Sequence, residues 1–557
     1  MENSLKIKLV SSLEKCFLDD NIDAFCPLEE LSFLSGEKVS FQLIYSDTSK
    51  GGSTKRLRLK ISGALSEYIS VRQVINVPSV MPVSSDGYDD NYLRTKPGLF
   101  PELLLPLHYN NNICTNGDNL LSAWIDVNIP EDFECGCYKT EFSVLEEWEN
   151  NCIASTSINL NLLKGKLEKL SLPHSEWMYS DCLAEYYGVD VFSDRHFEIL
   201  ENYIKCAVEN EINVIFTPVF TPALDTYISG ERLTTQLVDI TVTDGEYYFD
   251  FKKLDRFIDI VKRCGALYLE IPPFFTQWGA KAAPKFMATV DGVYKKIFGW
   301  ETDAAGEEYQ NFLCSFVPAL LENLKANGMD KNTFFQISDE PKPEDYDRFI
   351  EVSLRLKEIL KGYPILDTVS HLEAIDRGLV STPVVSVRAI EEFINYGADN
   401  SWCYYCCGPT TETTNRFLAM PLSRVRILGV QIYKFDVKGF LHWGFNYYHN
   451  RYSYNCINPY MDTCGEYFAP SGDAFIVYPD ENGRPLETIR LLALRDAFQD
   501  YKALKLCEEL YGREFVINEI NRGLGYDLSF KKYPSDSNYL IDLRNRINKA
   551  INDAREV

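Results

Sequence analysis

Over the first third of the chain, apolar and polar residues alternate with period two in short runs: Val39-Ser-Phe-Gln-Leu-Ile-Tyr45, Leu57-Arg-Leu-Lys-Ile61, Leu121-Ser-Ala-Trp-Ile-Asp-Val127 and Ala154-Ser-Thr-Ser-Ile-Asn-Leu-Asn-Leu162. Successive side chains on a strand point to opposite faces, so each run predicts a strand with one buried face. Clusters of Gly, Asn, Asp and Pro separate the runs and no long helical pattern intervenes, which predicts a β-sandwich over 1–165. The polar tracts 84–91 and 110–119 read as long loops.

The periodicity changes near Ser171. Short apolar runs rich in β-branched and aromatic residues predict strands near 176–179, 212–220, 266–274, 333–338, 365–370, 384–387, 401–406 and 439–444. Apolar residues at helical spacing predict helices at 194–208, 251–263, 307–327, 345–360, 416–429 and 486–510. Strands alternating with helices make parallel units, and eight of them predict a (β/α)8 barrel of the TIM type over 166–510. Two connections overrun the usual length. The first, 276–302, reads as a lid or subsite wall; the second, 447–485, reads as loop with a strand over 471–478. A helical extension at 511–557 closes the chain with an amphipathic helix at 539–554. The predicted class is multidomain: a β-sandwich, then an α/β barrel, then a short C-terminal extension.

The fourth barrel strand, Thr333-Phe-Phe-Gln-Ile337, runs into Ser338-Asp339-Glu340-Pro341. Pro341 lacks the N–H a ladder needs, so Asp339 and Glu340 fall at the strand's carboxyl end, where such barrels hold their chemistry. In a chain with 81 Asp and Glu, a bare acidic pair is ordinarily a solvated turn. Its place on a barrel rim makes it a catalytic candidate.

Adjacent Cα atoms lie only about 3.8 Å apart. Retaining glycosidases that form a covalent intermediate need carboxyls about 5 to 5.5 Å apart across the scissile bond, and inverting ones need more. Sequence neighbours suit substrate assistance better, in which a sugar's own 2-acetamido oxygen attacks the anomeric carbon. Glu340 would then be the acid/base, its pKa raised by apolar surroundings and by the charge of Asp339. Asp339 would be the anion that orients the acetamido N–H.

Other strand ends carry aromatic and polar residues together, as a carbohydrate cup requires: ring faces stack on C–H faces and polar groups take hydroxyls. The substrate-binding candidates are Trp177, Asp225, Trp278, His371, Trp402, Tyr404, Tyr405, Trp443 and Asn446. Taken singly, any of these aromatic residues has the alternative role of sealing a barrel end.

Charge narrows the partners. With 56 Lys and Arg against 81 acids the net charge is -25, which repels phosphate backbones and anionic lipid heads, so neither nucleic acid nor a membrane surface is expected as a partner. An oligosaccharide or glycoside substrate is. The 16 cysteines include no C-x-x-C pair and the six histidines are scattered, so no metal site and no cofactor are expected. The amino terminus shows no secretory apolar core, and nothing later approaches roughly 18 uninterrupted apolar residues, so the chain reads as cytoplasmic. Phosphate-binding loops and serine-hydrolase elbows are missing from the sequence.

At these residues the chain resembles glycoside hydrolase family 123 and the bacterial proteins that share its catalytic domain. The resemblance rests on Ser338-Asp339-Glu340-Pro341 and on a closing block: Gly472-Asp-Ala-Phe-Ile-Val-Tyr-Pro479, Ile489-Arg-Leu-Leu-Ala-Leu-Arg-Asp496 and Asp500-Tyr501. It implies β-N-acetylgalactosaminidase activity with retention through an oxazoline, Asp339 orienting the acetamido group and Glu340 serving as acid/base. It also implies a tyrosine on the acetamido carbonyl, at Tyr404 or Tyr405. Family members are commonly exported, and this chain shows no signal. Two alternatives stand beside this reading: a covalent glycosidase using Glu270, Asp225 or Asp181 as nucleophile, and a carbohydrate-binding barrel without turnover.

Overall fold

The computed structural model describes residues 4–48, 54–107, 111–146 and 151–555. The alternating runs fold into two five-stranded sheets. In spatial order, one holds Leu5–Ser11, Val39–Asp47, Leu121–Val127, Ile69–Ser79 and Gly98–Pro106; the other holds Glu30–Ser35, Cys152–Lys166, Gly136–Glu146, Arg56–Ser62 and Asn112–Cys114. Their alternate apolar residues, Phe41, Leu43 and Ile125 from one sheet and Leu59, Phe142 and Leu160 from the other, share one buried cluster. The Phe41 and Phe142 rings meet edge to face at 5.7 Å. Part of the tract expected to be loop, Asn112–Cys114, pairs with Arg56–Arg58; Asn110 lies outside the described residues.

All eight barrel strands form, as His174–Glu176, Val214–Phe216, Tyr268–Ile271, Thr333–Phe335, Leu366–Thr368, Thr382–Ser386, Trp402–Tyr404 and Phe440–His442. Each strand pairs with its neighbours in the chain except the fourth with the fifth, and the eighth pairs with the first. The remaining seam, between the fourth and fifth, carries one parallel bridge from Phe335 to Ile365, so the barrel is nearly closed. Helices Asp194–Glu209, Lys252–Cys264, Glu307–Ala326, Tyr346–Ile359 and Ile489–Tyr511 fall where apolar spacing predicts them.

Three expectations need correction. The helix expected from residue 416 starts at Leu422, because Pro421 fits a helix entry and disfavours helical backbone at the residue before it. Residues 276–302 hold more than a loop: Phe286–Val290 and Val293–Phe298 form a hairpin that joins Asp239–Thr243 and Glu246–Asp250 in a four-stranded sheet. Both hairpins turn on Asp-Gly, at Asp244-Gly245 and Asp291-Gly292, with positive φ at each residue. A two-residue turn whose twist matches the flanking strands needs that backbone. Finally, no strand spans 471–478; a strand forms at Tyr478–Pro479, and Phe475 makes one antiparallel bridge to Asn446. The preceding buried coil is held by Arg490 instead, which donates to the carbonyls of Arg416, Gly472 and Phe475.

That arginine also joins the two halves of the fold. Its guanidinium pairs at 2.5 Å with Glu102 of the strand Gly98–Pro106, and both side chains are fully buried. Removing one partner of such a pair leaves an uncompensated charge in the interior, which costs about 3–5 kcal/mol. Arg490→Met is therefore expected to lower the unfolding free energy by about that amount in urea titrations. An unchanged midpoint would show that Glu102 finds other compensation. No helix among the described residues is long and apolar enough to cross a membrane.

Candidate active site

The turn after the fourth strand is fixed before the acids are reached. The N–H groups of Ile337 and Ser338 donate to one Asp367 oxygen at 2.9 and 3.2 Å, and the Ser338 hydroxyl donates to the Thr276 carbonyl at 2.9 Å. The next two residues thus leave the barrel at a set angle. Asp339 receives the Thr368 hydroxyl at 2.5 Å on one oxygen and the Gln277 amide at 2.7 Å on the other. Thr368 in turn accepts the Glu340 N–H at 3.0 Å. Gln277 presents its carbonyl to the Asp225 N–H at 2.7 Å, and the Tyr179 hydroxyl donates to Asp225 at 2.8 Å. One polar chain therefore links the ends of the first, second, third, fourth and fifth strands.

Four residues of the site carry strained backbone. Asp225, Trp278, Glu340 and Tyr452 all adopt left-handed φ, between 49° and 58°. That region costs non-glycine residues about 1–3 kcal/mol each and persists only where surroundings impose it. At Glu340 the result is a carboxyl turned into the cup and not along the strand. The indole of Trp278 and the hydroxyl of Tyr404 lie near it and favour its charged form.

Electrostatics separates the two acids. Burial and then the charges of Asp339 and Asp225 push Glu340 up to about 7, against the opposing influence of Trp278 and Tyr404. Burial also raises Asp339, while Thr368 and Gln277, both donors, favour its anion. The two titrate as a pair, and the donors place the first negative charge on Asp339 and leave the shared proton on Glu340. Asp225 is pushed up to about 6, chiefly by burial.

These groups line a cavity of about 300 Å³ at the carboxyl ends of the strands, with Trp177, Trp278, Tyr404, Trp443, Tyr452 and Phe468 as its apolar wall and Arg451 also in the lining. Of the residues expected from sequence, the cavity gathers Asp339, Glu340, Asp225, Trp177, Trp278, Tyr404 and Trp443. Four others lie elsewhere, each for a local reason.

Tyr405 directly follows Tyr404, the last residue of the seventh strand, and turns to the opposite side; its ring packs on Phe440 and His442. Trp402 shares the face of Tyr404 but lies two residues deeper, as barrel floor against Phe334, with Gly439 leaving room for its ring. Asn446 is fully buried and pairs with the Tyr179 backbone at 2.8 and 3.1 Å, which holds the tyrosine that orients Asp225. His371 is exposed, because the chain turns outward after Thr368 into the short helix Glu373–Asp376.

The alternative nucleophiles divide likewise. Glu270 is sealed inside the barrel, where Ser175, Trp177 at 2.8 Å and Gln336 at 2.6 Å occupy its oxygens. Asp181 is buried against Arg232 at 2.6 Å. Neither lines the cavity.

Thr368 and Gln277 were not picked out from sequence, although both stand at predicted strand ends. Short uncharged side chains give no signal until their partner is known. Arg451 and Tyr452 come from the long connection after the eighth strand, which has no periodicity to read. The grouping of metal-ligand type Glu185, His449 and Cys456 lies outside the cavity lining.

A parallel β/α barrel whose strand ends set an acid with a pKa near neutrality beside an anion, inside an aromatic cup, has the build of a glycoside hydrolase. The sequence profile described as "Glycoside hydrolase 123, catalytic domain" matches residues 177–507, more than half of the chain. The chain belongs to glycoside hydrolase family 123.

Among solved structures, a family 123 glycoside hydrolase from Clostridium perfringens, studied for the details of glycolipid glycan hydrolysis, superposes with a TM-score of 0.74. It is 16% identical, and the match covers 99% of each chain, a likeness of fold. Overlap with a Bacteroides uniformis β-glucuronidase is slight: TM-score 0.28 and 10% identity over 86% of this chain and 49% of that one. No curated protein sequence matches the chain.

Proposed function

We propose that the protein is a retaining β-N-acetylhexosaminidase, with β-N-acetylgalactosaminides its preferred substrates, working by substrate assistance. The observation that carries this reading is the Asp339–Glu340 corner: one carboxyl held by two donors that favour its anion, the other protonated near neutral pH, both on one edge of a cup. Each Asp339 oxygen keeps a free lone pair beyond its donor, so it can still accept the acetamido N–H.

In the first step the acetamido oxygen attacks the anomeric carbon. Glu340 gives its proton to the departing glycosidic oxygen, and Asp339 stabilises the oxazolinium that forms. In the second step water attacks from the face the leaving group vacated. Glu340, now a carboxylate, takes the proton, and two inversions give net retention. Tyr404 is the tyrosine we assign to the acetamido carbonyl, Tyr405 being turned away. Trp278 and Trp443, the half-buried indoles of the lining, supply the stacking wall.

The test is a panel of nitrophenyl glycosides with the anomer followed by NMR. Release from the β-N-acetylgalactosaminide with the β-anomer appearing first supports the reading. Turnover of hexosides lacking the acetamido group, with none of the N-acetyl substrates, would contradict it.

The protonation states of the two acids give a further expectation. The reactive form carries its proton on Glu340, so kcat/KM should fall as pH rises through about 7, where that proton leaves. On the acid side activity should fall as Asp339 takes up a proton. A pH profile measured on the free enzyme checks this, and a flat alkaline limb to pH 9 would exclude Glu340 as the acid.

A further inference from the structure

Behind one wall of the cup lies a second group of chemically able side chains that the hydrolytic site does not use. His449 and Cys456 face each other across an antiparallel bridge that closes the loop 450–455, and the Asn450 N–H donates to the Asn455 carbonyl at 2.9 Å just inside it. The helix Ser180–Tyr187 brings Glu185 against both. One Glu185 oxygen lies 2.6 Å from His449 Nε2 and 3.3 Å from Cys456 Sγ. The three donor atoms all lie within 4.8 Å of one another.

We propose that Glu185, His449 and Cys456 form a binding site for one divalent transition-metal ion, zinc by preference. Imidazole with a thiolate is a donor set that selects zinc over magnesium or calcium, and three protein ligands leave the fourth tetrahedral position to water. Donor atoms around tetrahedral zinc stand about 3.3 to 3.7 Å apart, so the present spacing needs adjustment of only about an ångström. Glu185 and Cys456 are exposed and free to make it.

The other ring nitrogen of His449 lies 3.3 Å from the buried Cys182 sulfur. That contact suits an Nδ1–H donor and directs Nε2 at the ion. The neighbouring charges Asp181 and Arg232 are paired with each other at 2.6 Å and do not compete. A plain His–Glu ion pair would account for the shortest contact. The Cys456 thiol, which donates to the same carboxylate oxygen, adds the third ligand.

The site has a position that matters. The loop pinched between His449 and Cys456 carries Arg451 and Tyr452 into the cavity, where the Tyr452 ring meets Trp278 edge to face at 5.6 Å. An ion bound at the loop's neck would fasten that wall to the helix Ser180–Tyr187.

The experiment uses the full chain, stripped with a chelator, dialysed and titrated with zinc chloride against a chromophoric competitor. Wild type is compared with Cys456→Ser and Glu185→Gln, exposed positions whose variants are checked for folding by circular dichroism. Wild type should bind one equivalent more than Cys456→Ser, and Glu185→Gln should bind it at least about tenfold more weakly. Zinc should raise the melting temperature of wild type and leave that of Cys456→Ser unmoved. Cobalt(II) should show a thiolate charge-transfer band only where Cys456 is present. Equal zinc stoichiometry, affinity and thermal shift in all three proteins, as zinc held at other cysteines such as Cys406 and Cys407 would give, overturns the proposal.

Discussion

Glu340→Gln is expected to lower kcat/KM on alkyl and unactivated aryl β-N-acetylhexosaminides by about 10²–10⁴-fold, the usual contribution of a positioned proton donor. The glutamine is nearly isosteric and Glu340 packs no hydrophobic core, so circular dichroism and melting should change little. The loss should shrink as the leaving group improves, because a dinitrophenolate departs without needing a proton. That gradient separates acid catalysis from disturbance of the cup. An equal loss across all leaving groups would mean that the residue acts in binding alone.

Asp339→Asn should be at least as damaging where the acetamido group reacts, with kcat reduced by about 10²–10³-fold, as for removal of one preorganised electrostatic contact. The damage arises from hydrogen-bond directions as much as from charge. Thr368 and Gln277 both donate to Asp339, so an asparagine amide would set one N–H against another donor. Gln277 can relieve the clash by turning over, and then the Asp225 N–H loses its acceptor. The variant also carries a titration signature. The Asp339 charge helps to raise Glu340, so whatever activity remains should lose its alkaline limb at a lower pH than wild type. An alkaline limb at the wild-type pH in Asp339→Asn would show that the two carboxyls do not interact.

Barrel strands were legible because parallel strands in a covered sheet are short apolar runs, and turn residues bound each of them here. The acidic corner was legible for a related reason: Pro341 marks where the fourth strand ends. What sequence left open is which side of a strand faces the cup. Tyr404 and Tyr405 differ only by that, and register settles it through pleat and not composition. His371 was misplaced because a strand end says nothing about where the chain turns next. The Asp-Gly turns at 244–245 and 291–292, flanked by alternating residues, were readable hairpin signals within stretches otherwise taken as connection. Arg490 and Glu102 lie so far apart in the chain that no local pattern could pair them. The same holds for Gln277 with Asp339.

The central claim is that the substrate supplies its own nucleophile at the corner made by Asp339 and Glu340. It is tested most directly with aryl β-N-acetylgalactosaminides whose acetamido methyl carries zero, one, two or three fluorines. Each fluorine withdraws density from the attacking oxygen and barely alters the size of the group. The account predicts that kcat/KM falls steeply and monotonically along the series. A rate that stays level from the first member to the last would contradict it and point to a protein carboxylate, Asp225, as the attacking group.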